Sequence, residues 1–309
     1  AGSSDVPELP DVELYVEHLA RRLAGRTLER VRVASPFLLR TVSPPLSDAE
    51  GRTIRGFRRL GKRVVFELEG GPFLVVHLMV AGRFHWKDAS RAPVPKKVGL
   101  AAFDVPGATL LLTEASPKKR AALHVVATEE ALAALSRGGL EPLGAGLPEF
   151  TATLRSESHT VKRALTDPRL FSGIGNAYSD EILHAARMSP FSLTRTLRDE
   201  EVARLHAATQ STLSSWLARL RAEVGERFPE KVTAFRPEFA VHGRFGKPCP
   251  ACGDPVQRLV YADNEANYCA TCQTGGRLLA DRALSRLLKD DWPRSIEELE
   301  EAKAARRDP

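Results

Sequence analysis

Cysteine is absent from this chain except in one window. All four residues of that type fall between positions 249 and 272 of 309, which excludes a disulfide framework spread through the fold. No apolar run reaches the length of a membrane span, and the first residues lack the basic-then-apolar layout of a signal peptide. Those absences make the cytoplasm the expected compartment, nucleoid-associated if the source is bacterial, with no membrane partner. Internal repeats and low-complexity segments are also missing, which excludes a solenoid. Excess charge is small: 45 Lys and Arg against 39 Asp and Glu give a net +6. Such a balance is compatible with a polyanionic partner without requiring one. The excess is concentrated in RTIRGFRRLGKR and SPKKR, yet basic runs are commonly solvated faces.

What is present is an ordinary globular composition, 43% hydrophobic and 27% charged, long enough for two or three domains. An amphipathic stretch follows PELP, with Val12, Tyr15, Val16, Leu19 and Leu23 at helical spacing. From Thr27 to about Val126 the pattern becomes closely spaced strands separated by EGGP and VPGA turns. One helix followed by six or more strands predicts a β-sandwich or flattened barrel, not βαβ units. Near residue 128 the period changes, and TEEALAALSRGGL, LPEFTATLRSESHTVKRALTD, NAYSDEILHAARM and RDEEVARLHAATQSTLSSWLARLRAEV read as helices. The expected class is therefore a multidomain α+β protein. Its segments are an N-terminal helix with β-sandwich over 1–127, a helical domain over 128–235, a cysteine-bearing segment over 236–273 and a helical extension over 274–309.

Cys249 and Cys252 are separated by two residues, as are Cys269 and Cys272, with sixteen between the pairs. That spacing suits a four-thiolate zinc site in a two-hairpin ribbon. A closed tetrahedral shell leaves no position for substrate, so the metal is expected to be structural. Two disulfides are the competing reading. The preceding VHGRFGKPC and the strand-like QRLVYA and ANYC complete the ribbon pattern.

Two further motifs each admit a plain reading. In PELP, Pro10 suits a first helical turn, and Asp11 and Glu13 complement the helix start. In LTDPRLFSGIGNAYSDEIL, the glycines of Gly173-Ile174-Gly175-Asn176 suit a helix–helix turn. The same glycines also allow a close backbone approach and anion binding at the next helix. Read together and in order, PELPDVE, HLMVAGR, GLEPL, GIGNAYSDEIL and the four-cysteine ribbon resemble the formamidopyrimidine-DNA glycosylase and endonuclease VIII family of base-excision repair enzymes. The resemblance covers roughly residues 7–273.

That resemblance implies a DNA glycosylase for damaged, oxidised bases with an associated AP lyase, acting on DNA as a monomer. It implies that Pro7 is the nucleophile through a free N-terminal amine, whose pKa of about 8 leaves a useful neutral fraction near pH 7. Attack on C1′ by a secondary amine gives an iminium ion that acidifies the C2′ proton. It further implies that Glu8 transfers protons and that Lys62 contacts phosphate and assists base release. Gly175 and Asn176 belong to the implied helix–two-turn–helix, where Asn176 bonds a phosphate near the lesion and Lys162 supplies a basic group. The target base must leave the stack to be reached.

The chain departs from the family pattern in four places. Six residues, AGSSDV, precede Pro7; Ala1–Asp5 read as an added remnant, with Val6 at the initiator position. Where the family carries an arginine five residues before the third cysteine, this chain has Asn264, which can bond a phosphate but carries no charge. The intercalation loop offers Lys118, Lys119 and Arg120 without a phenylalanine, and Met79 or Val80 is the void filler. The extension past residue 273 carries an apolar stripe through Leu278, Leu279, Leu284, Leu287 and Leu288 that suits docking on this protein itself. The alternative function is a non-catalytic or monofunctional damaged-DNA-binding protein on the same scaffold, which the blocked Pro7 and Asn264 favour. His77, His124, His159, His184, His206 and His242 are scattered and read as structural or surface residues, and Trp86, Trp216 and Trp292 as packing residues.

Overall fold

The structure is a computed structural model that describes residues 6–230, 232, 236–261 and 264–279. Of the expected helical extension over 274–309, residues 275–279 are not helical, and 280–309, with Leu284, Leu287 and Leu288, lie outside the described residues. Two compact units emerge from the backbone contacts: 1–139 with 213–234, and 140–212 with 235–309.

The first unit begins with helix α1 (Leu9–Leu23). Its apolar positions recur at helical spacing, so Val12, Tyr15, Val16, Leu19 and Leu23 share a buried face. Nine antiparallel strands follow: β1 (Thr27–Leu28), β2 (Arg30–Val33), β3 (Arg52–Leu60), β4 (Arg63–Leu68), β5 (Phe73–His77), β6 (Gly82–Lys87), β7 (Gly99–Val105), β8 (Ala108–Glu114) and β9 (Ala122–Val126). They form a five-stranded sheet in the order β1-β3-β4-β5-β9 and a four-stranded sheet in the order β2-β7-β8-β6. This is the expected sandwich. Alternate residues of β4 face opposite sides, so Val64, Phe66 and Leu68 join α1 in the main core while Val65 faces outward. Phe66 stacks on Phe103 of the other sheet at 5.0 Å. The outward Val65, Phe73, Val75 and Val126 are covered by Leu132 of a short helix, α2 (Glu129–Ala134).

The second unit contains α3 (Leu147–Ser156), α4 (Val161–Thr166) and α5 (Asn176–Ala185). The expectation of one helix through LPEFTATLRSESHTVKRALTD is corrected: it breaks at residues 157–160. Thr160 leaves the helical conformation, and its hydroxyl accepts from the Arg163 N–H, capping a new helix. The long helix α6 (Asp199–Val224) follows. In the ribbon, QRLVYA and ANYC pair as a hairpin, β10 (Gln257–Tyr261) with β11 (Asn264–Tyr268), and a short helix α7 (Ala270–Thr274) follows Cys269. The first cysteine pair sits in a shorter, irregular antiparallel hairpin, bridged at Pro248–Pro255 and bonded from the Gly246 N–H to the Val256 carbonyl, the Val256 N–H to the Lys247 carbonyl and the Cys249 N–H to the Asp254 carbonyl. No described helix is long and apolar enough to cross a membrane.

Candidate active site and zinc centre

In the first unit the PELP segment does the local work of starting α1. Glu8 is the N-cap in an extended conformation, and its backbone N–H donates to Asp11 Oδ2 at 3.1 Å. Pro7 and Glu8 are both buried, Glu8 being 1% exposed. The bond to Asp11 fixes the backbone of Glu8 at the start of the helix. Glu13, one turn on, accepts from Arg59 Nε of β3 at 3.0 Å. The hairpin that carries Lys62 is thereby tied to the helix that Glu8 caps. Lys62 lies in the two-residue β3–β4 turn, closed by the Leu60–Arg63 pair, and is half-buried.

Beside it the sequence reading missed a residue. His77 ends β5, paired with Arg63 of β4, and its Nδ1 accepts from the Met79 N–H at 3.0 Å. Burial pushes its pKa down to about 4, with Arg63, Lys62 and His124 adding in the same direction. It is a neutral imidazole near pH 7. The signal was in LVVHLM, where a titratable ring closes a buried apolar strand opposite an arginine. The reading of these histidines as scattered is corrected, because the pairing of β5 with β9 brings His77 and His124 to one face.

Met79 adopts a positive φ of 53°, a strained conformation for a side chain of its size. The turn around it is tight: a Cβ on Gly82 would lie 2.2 Å from the Leu78 carbonyl oxygen. Val80 gives its carbonyl to Arg83 in the same turn. The basic loop is anchored by Glu114, buried at the end of β8, whose carboxylate accepts the N–H groups of Arg120 and Ala121 at 2.9 and 3.1 Å. Lys119 turns back to the Glu114 carbonyl, while Lys118 and Arg120 are exposed.

In the second unit, GLEPL proves to be part of the glycine loop. Leu140 pairs with Phe171, and the Ser172 hydroxyl donates to Glu141. Gly173 takes φ +78°, which glycine alone adopts freely. Gly175 caps α5, and Asn176, its first residue, is half-exposed. Lys162 is 2% exposed, and its Nζ donates to the Asn176 carbonyl, Ser179 Oγ and Asp180 Oδ1. An ammonium has three hydrogens, and all three are used inside the protein. In this arrangement Lys162 holds the loop that carries Asn176.

Asp180 is the hub of that support. Its other oxygen accepts from His242 Nδ1 at 2.8 Å and from the backbone and side-chain nitrogens of Asn267 at 3.1 and 3.0 Å. Burial pushes its pKa up, but Lys162 and His242 outweigh burial and hold the carboxyl below its usual range. Glu181 accepts three consecutive N–H groups, from Ala240, Val241 and His242, at 2.7, 2.9 and 2.9 Å. Through these two carboxylates the glycine-loop helix α5 grips the ribbon. Asn264 opens β11, opposite Tyr261.

The four cysteine sulfurs lie within 4.8 Å of one another. Cys249 to Cys272 is 4.0 Å and Cys252 to Cys269 is 3.4 Å, too far for disulfides and close to the edge of a tetrahedron with Zn–S bonds of about 2.3 Å. His184 of α5 places Nε2 3.3 Å from Cys249 Sγ, an outer contact of the kind that orients a metal ligand. These residues fit a structural zinc ion. Arg258, across the hairpin from Asn267, lies over Phe245 at 4.9 Å.

Comparison with known proteins agrees with this geometry. Residues 6–119 match the formamidopyrimidine-DNA glycosylase N-terminal domain, 139–224 the H2TH domain of the same enzymes, and 246–275 a zinc finger found in FPG and IleRS. The formamidopyrimidine-DNA glycosylase of Thermus thermophilus is 36% identical over 279 residues, spanning 88% of this chain and 100% of that protein. The crystal structure of the MutM (Fpg) protein from Thermus thermophilus superposes with a TM-score of 0.72 at 35% identity, over 86% of this chain and 98% of that one. Lactococcus lactis Fpg bound non-covalently to DNA containing an AP site gives 0.75 at 25% identity, over 86% and 99%. The chain belongs to the formamidopyrimidine-DNA glycosylase family.

Proposed function

We infer that this family member is a DNA glycosylase that removes damaged bases and cleaves the resulting abasic site, with Pro7 as nucleophile and Glu8 as its proton-transfer partner. The observation that carries the assignment of residues is the buried Pro-Glu pair at the head of α1, held by the Glu8 N–H bond to Asp11 Oδ2. The chemistry requires the Pro7 nitrogen to be a free secondary amine. Its lone pair then attacks C1′ as the C1′–N bond to the base breaks and the departing base takes a proton. The proline nitrogen loses its own proton and the C1′–O4′ bond opens, O4′ taking a proton, which leaves the iminium. The iminium withdraws electrons from C2′, whose proton is lost as the C3′–O bond breaks. Glu8 is suited to shuttle these protons, since a carboxyl group 1% exposed is largely shielded from water.

Around this step Lys62 and His77 take backbone phosphate on the first unit, and Asn176, at the start of α5, takes phosphate on the second. The strained Met79 supports its choice over Val80 as the side chain that fills the vacated stack, with Lys118 and Arg120 beside the opposite strand. Asn264 offers phosphate a hydrogen bond without charge. The four segments 1–127, 128–235, 236–273 and 274–309 serve respectively as catalytic domain, helix–two-turn–helix domain, zinc ribbon and extension. The enzyme works as a monomer on chromosomal DNA in the cytoplasm, which sedimentation and cell fractionation would check.

The test is base release from a duplex carrying one formamidopyrimidine lesion, using a chain that begins at Pro7 and the same chain with Glu8→Gln. Release by the first, falling 100-fold or more in the second, is expected for a lost general acid–base. Equal release by both would remove Glu8 from the mechanism.

A further inference from the structure

The outer face of the five-stranded sheet carries charge that the mechanism does not use. Arg63 pairs with His77, and His124 pairs with Val75, two residues earlier on β5. Since side chains alternate along a strand, Arg63, His77 and His124 all project from one face. It is the face whose apolar half, including Val75, is covered by α2. The basic row continues where that helix stops, and Arg63 Nη1 donates to the carbonyl of Leu135, the C-cap of α2, at 3.0 Å. Arg40 joins the other end, its N–H bonded to the Leu123 carbonyl beside His124.

Two neighbouring arginines of the same sheet are neutralised. Arg58 is paired with Glu67 and Glu129, and Arg59 with Glu13. The row has no such partners: among the described residues no carboxylate pairs with Arg40, Arg63 or His124. Arg63 Nε and His124 Nδ1 have no hydrogen-bond partner within the protein. Instead the basic groups act on each other. Arg63 and Arg40 both disfavour a proton on His124, after burial, and exposed Arg137 disfavours the charge on Arg63. A scaffold that holds like charges side by side without a counter-ion presents a field suited to an anion.

We propose that Arg63, His124 and Arg40 form a second phosphate subsite, which extends the track beyond Lys62 and His77 and takes one further backbone phosphate of the DNA. Arg63 supplies a guanidinium charge, held in place by the Nη1 bond to the Leu135 carbonyl. Arg40 supplies an exposed second charge, and the neutral imidazole between them supplies a ring N–H donor. The proposal rests on the DNA-repair reading of the preceding section.

The test is the salt dependence of affinity for a duplex carrying a stable abasic-site analogue. Neutralising one phosphate contact changes the slope of log K against log salt by about 0.9. The triple variant Arg40→Gln, Arg63→Gln, His124→Gln should lose close to that amount, with affinity falling several-fold at moderate salt. The double variant Arg40→Gln, His124→Gln leaves the Arg63–Leu135 bond intact and should still flatten the slope measurably. Arg58→Gln, which removes an already paired charge of the same sheet, should leave it unchanged. Flattening in both row variants but not in Arg58→Gln supports the subsite. Equal slopes in all chains overturn it while leaving the glycosylase reading intact. Failure of the unsubstituted chain to bind the duplex overturns both. Inorganic phosphate that shifts the His124 ring resonances while the DNA slope stays unaltered identifies a free-anion site and also overturns the proposal.

Discussion

Different physics stabilises each of the two compact units. The sandwich unit has a continuous apolar core, with α1, Phe66, Phe84 and Phe103 at its centre, and its buried carboxylates, such as Glu8, Asp104 and Glu114, sit singly near the ends of its elements. The helical and ribbon unit places ions inside. Lys162, Asp180 and His242 are almost fully buried in contact with one another, Glu181 is buried against three backbone amides, and four thiolates surround a metal position. An apolar core fails by degrees when one side chain is trimmed, whereas a buried ionic hub fails together when one partner is removed. The sandwich can therefore present a row of charges on its surface without risk to its fold. The other unit binds its functional loop and its ribbon into one structure.

Removal of zinc should give the largest difference between the units. Structural zinc contributes apparent binding energies of about 10–16 kcal/mol in zinc-finger peptides at pH 7, and the ribbon's small apolar cluster of Val241, Cys249, Val256 and Cys269 cannot replace that. Chelation should abolish amide-exchange protection in β10 and β11 while β4 and β5 keep theirs. Equal loss in both would break the comparison.

Next in size is the hub. Asp180→Ala leaves a buried ammonium without its counter-ion and should cost about 3–5 kcal/mol, read by denaturant unfolding. Lys162→Met should be destabilising as well, yet leave the salt slope of DNA binding unchanged, because Lys162 spends its hydrogens on the protein. A slope change of about 0.9 would instead return Lys162 to the phosphate contacts.

A smaller effect is expected at His77. Its folded-state pKa, about 4, lies below the unfolded value of about 6.5, so the unfolded chain binds more protons between those pH values. Stability is then full above about pH 6.5 and falls as pH drops toward 4, by on the order of 2–3 kcal/mol. His77→Gln should flatten that part of the curve. The smallest effect belongs to Thr128, whose hydroxyl accepts from the Ala131 N–H at 3.2 Å to cap α2. Thr128→Ala should lower stability by about 1 kcal/mol, uncovering the outer apolar patch without disturbing the main core.

The same contrast explains what can be read from the sequence. Strand alternation and the helical stripe of α1 are written in local hydrophobic pattern, so the sandwich is legible in the order of residues alone. The zinc ligands are legible because two knuckles with a fixed spacing are a local signal. The break at Thr160 is not, since a cap competes with helical periodicity over a few residues. The hub is invisible for a different reason. Nothing local in Asp180, His242 or Asn267 marks them as partners, because 62 and 87 residues separate the last two from Asp180. The partners of Lys162 are hidden for the same cause: a lysine reads as a surface cation until its buried partner is known. His77 and His124 come together only through the pairing of β5 with β9.

The central claim is that Pro7 attacks the damaged sugar. Borohydride trapping on a duplex with a natural abasic site tests it directly, comparing the chain as given with one that begins at Pro7. A covalent protein–DNA adduct formed by the chain beginning at Pro7, and lost in its Pro7→Gly variant or formed there at a much reduced rate, is the predicted result. No adduct from the exposed proline, with DNA binding intact, would contradict the account and leave a protein that binds damage or releases bases without a covalent step.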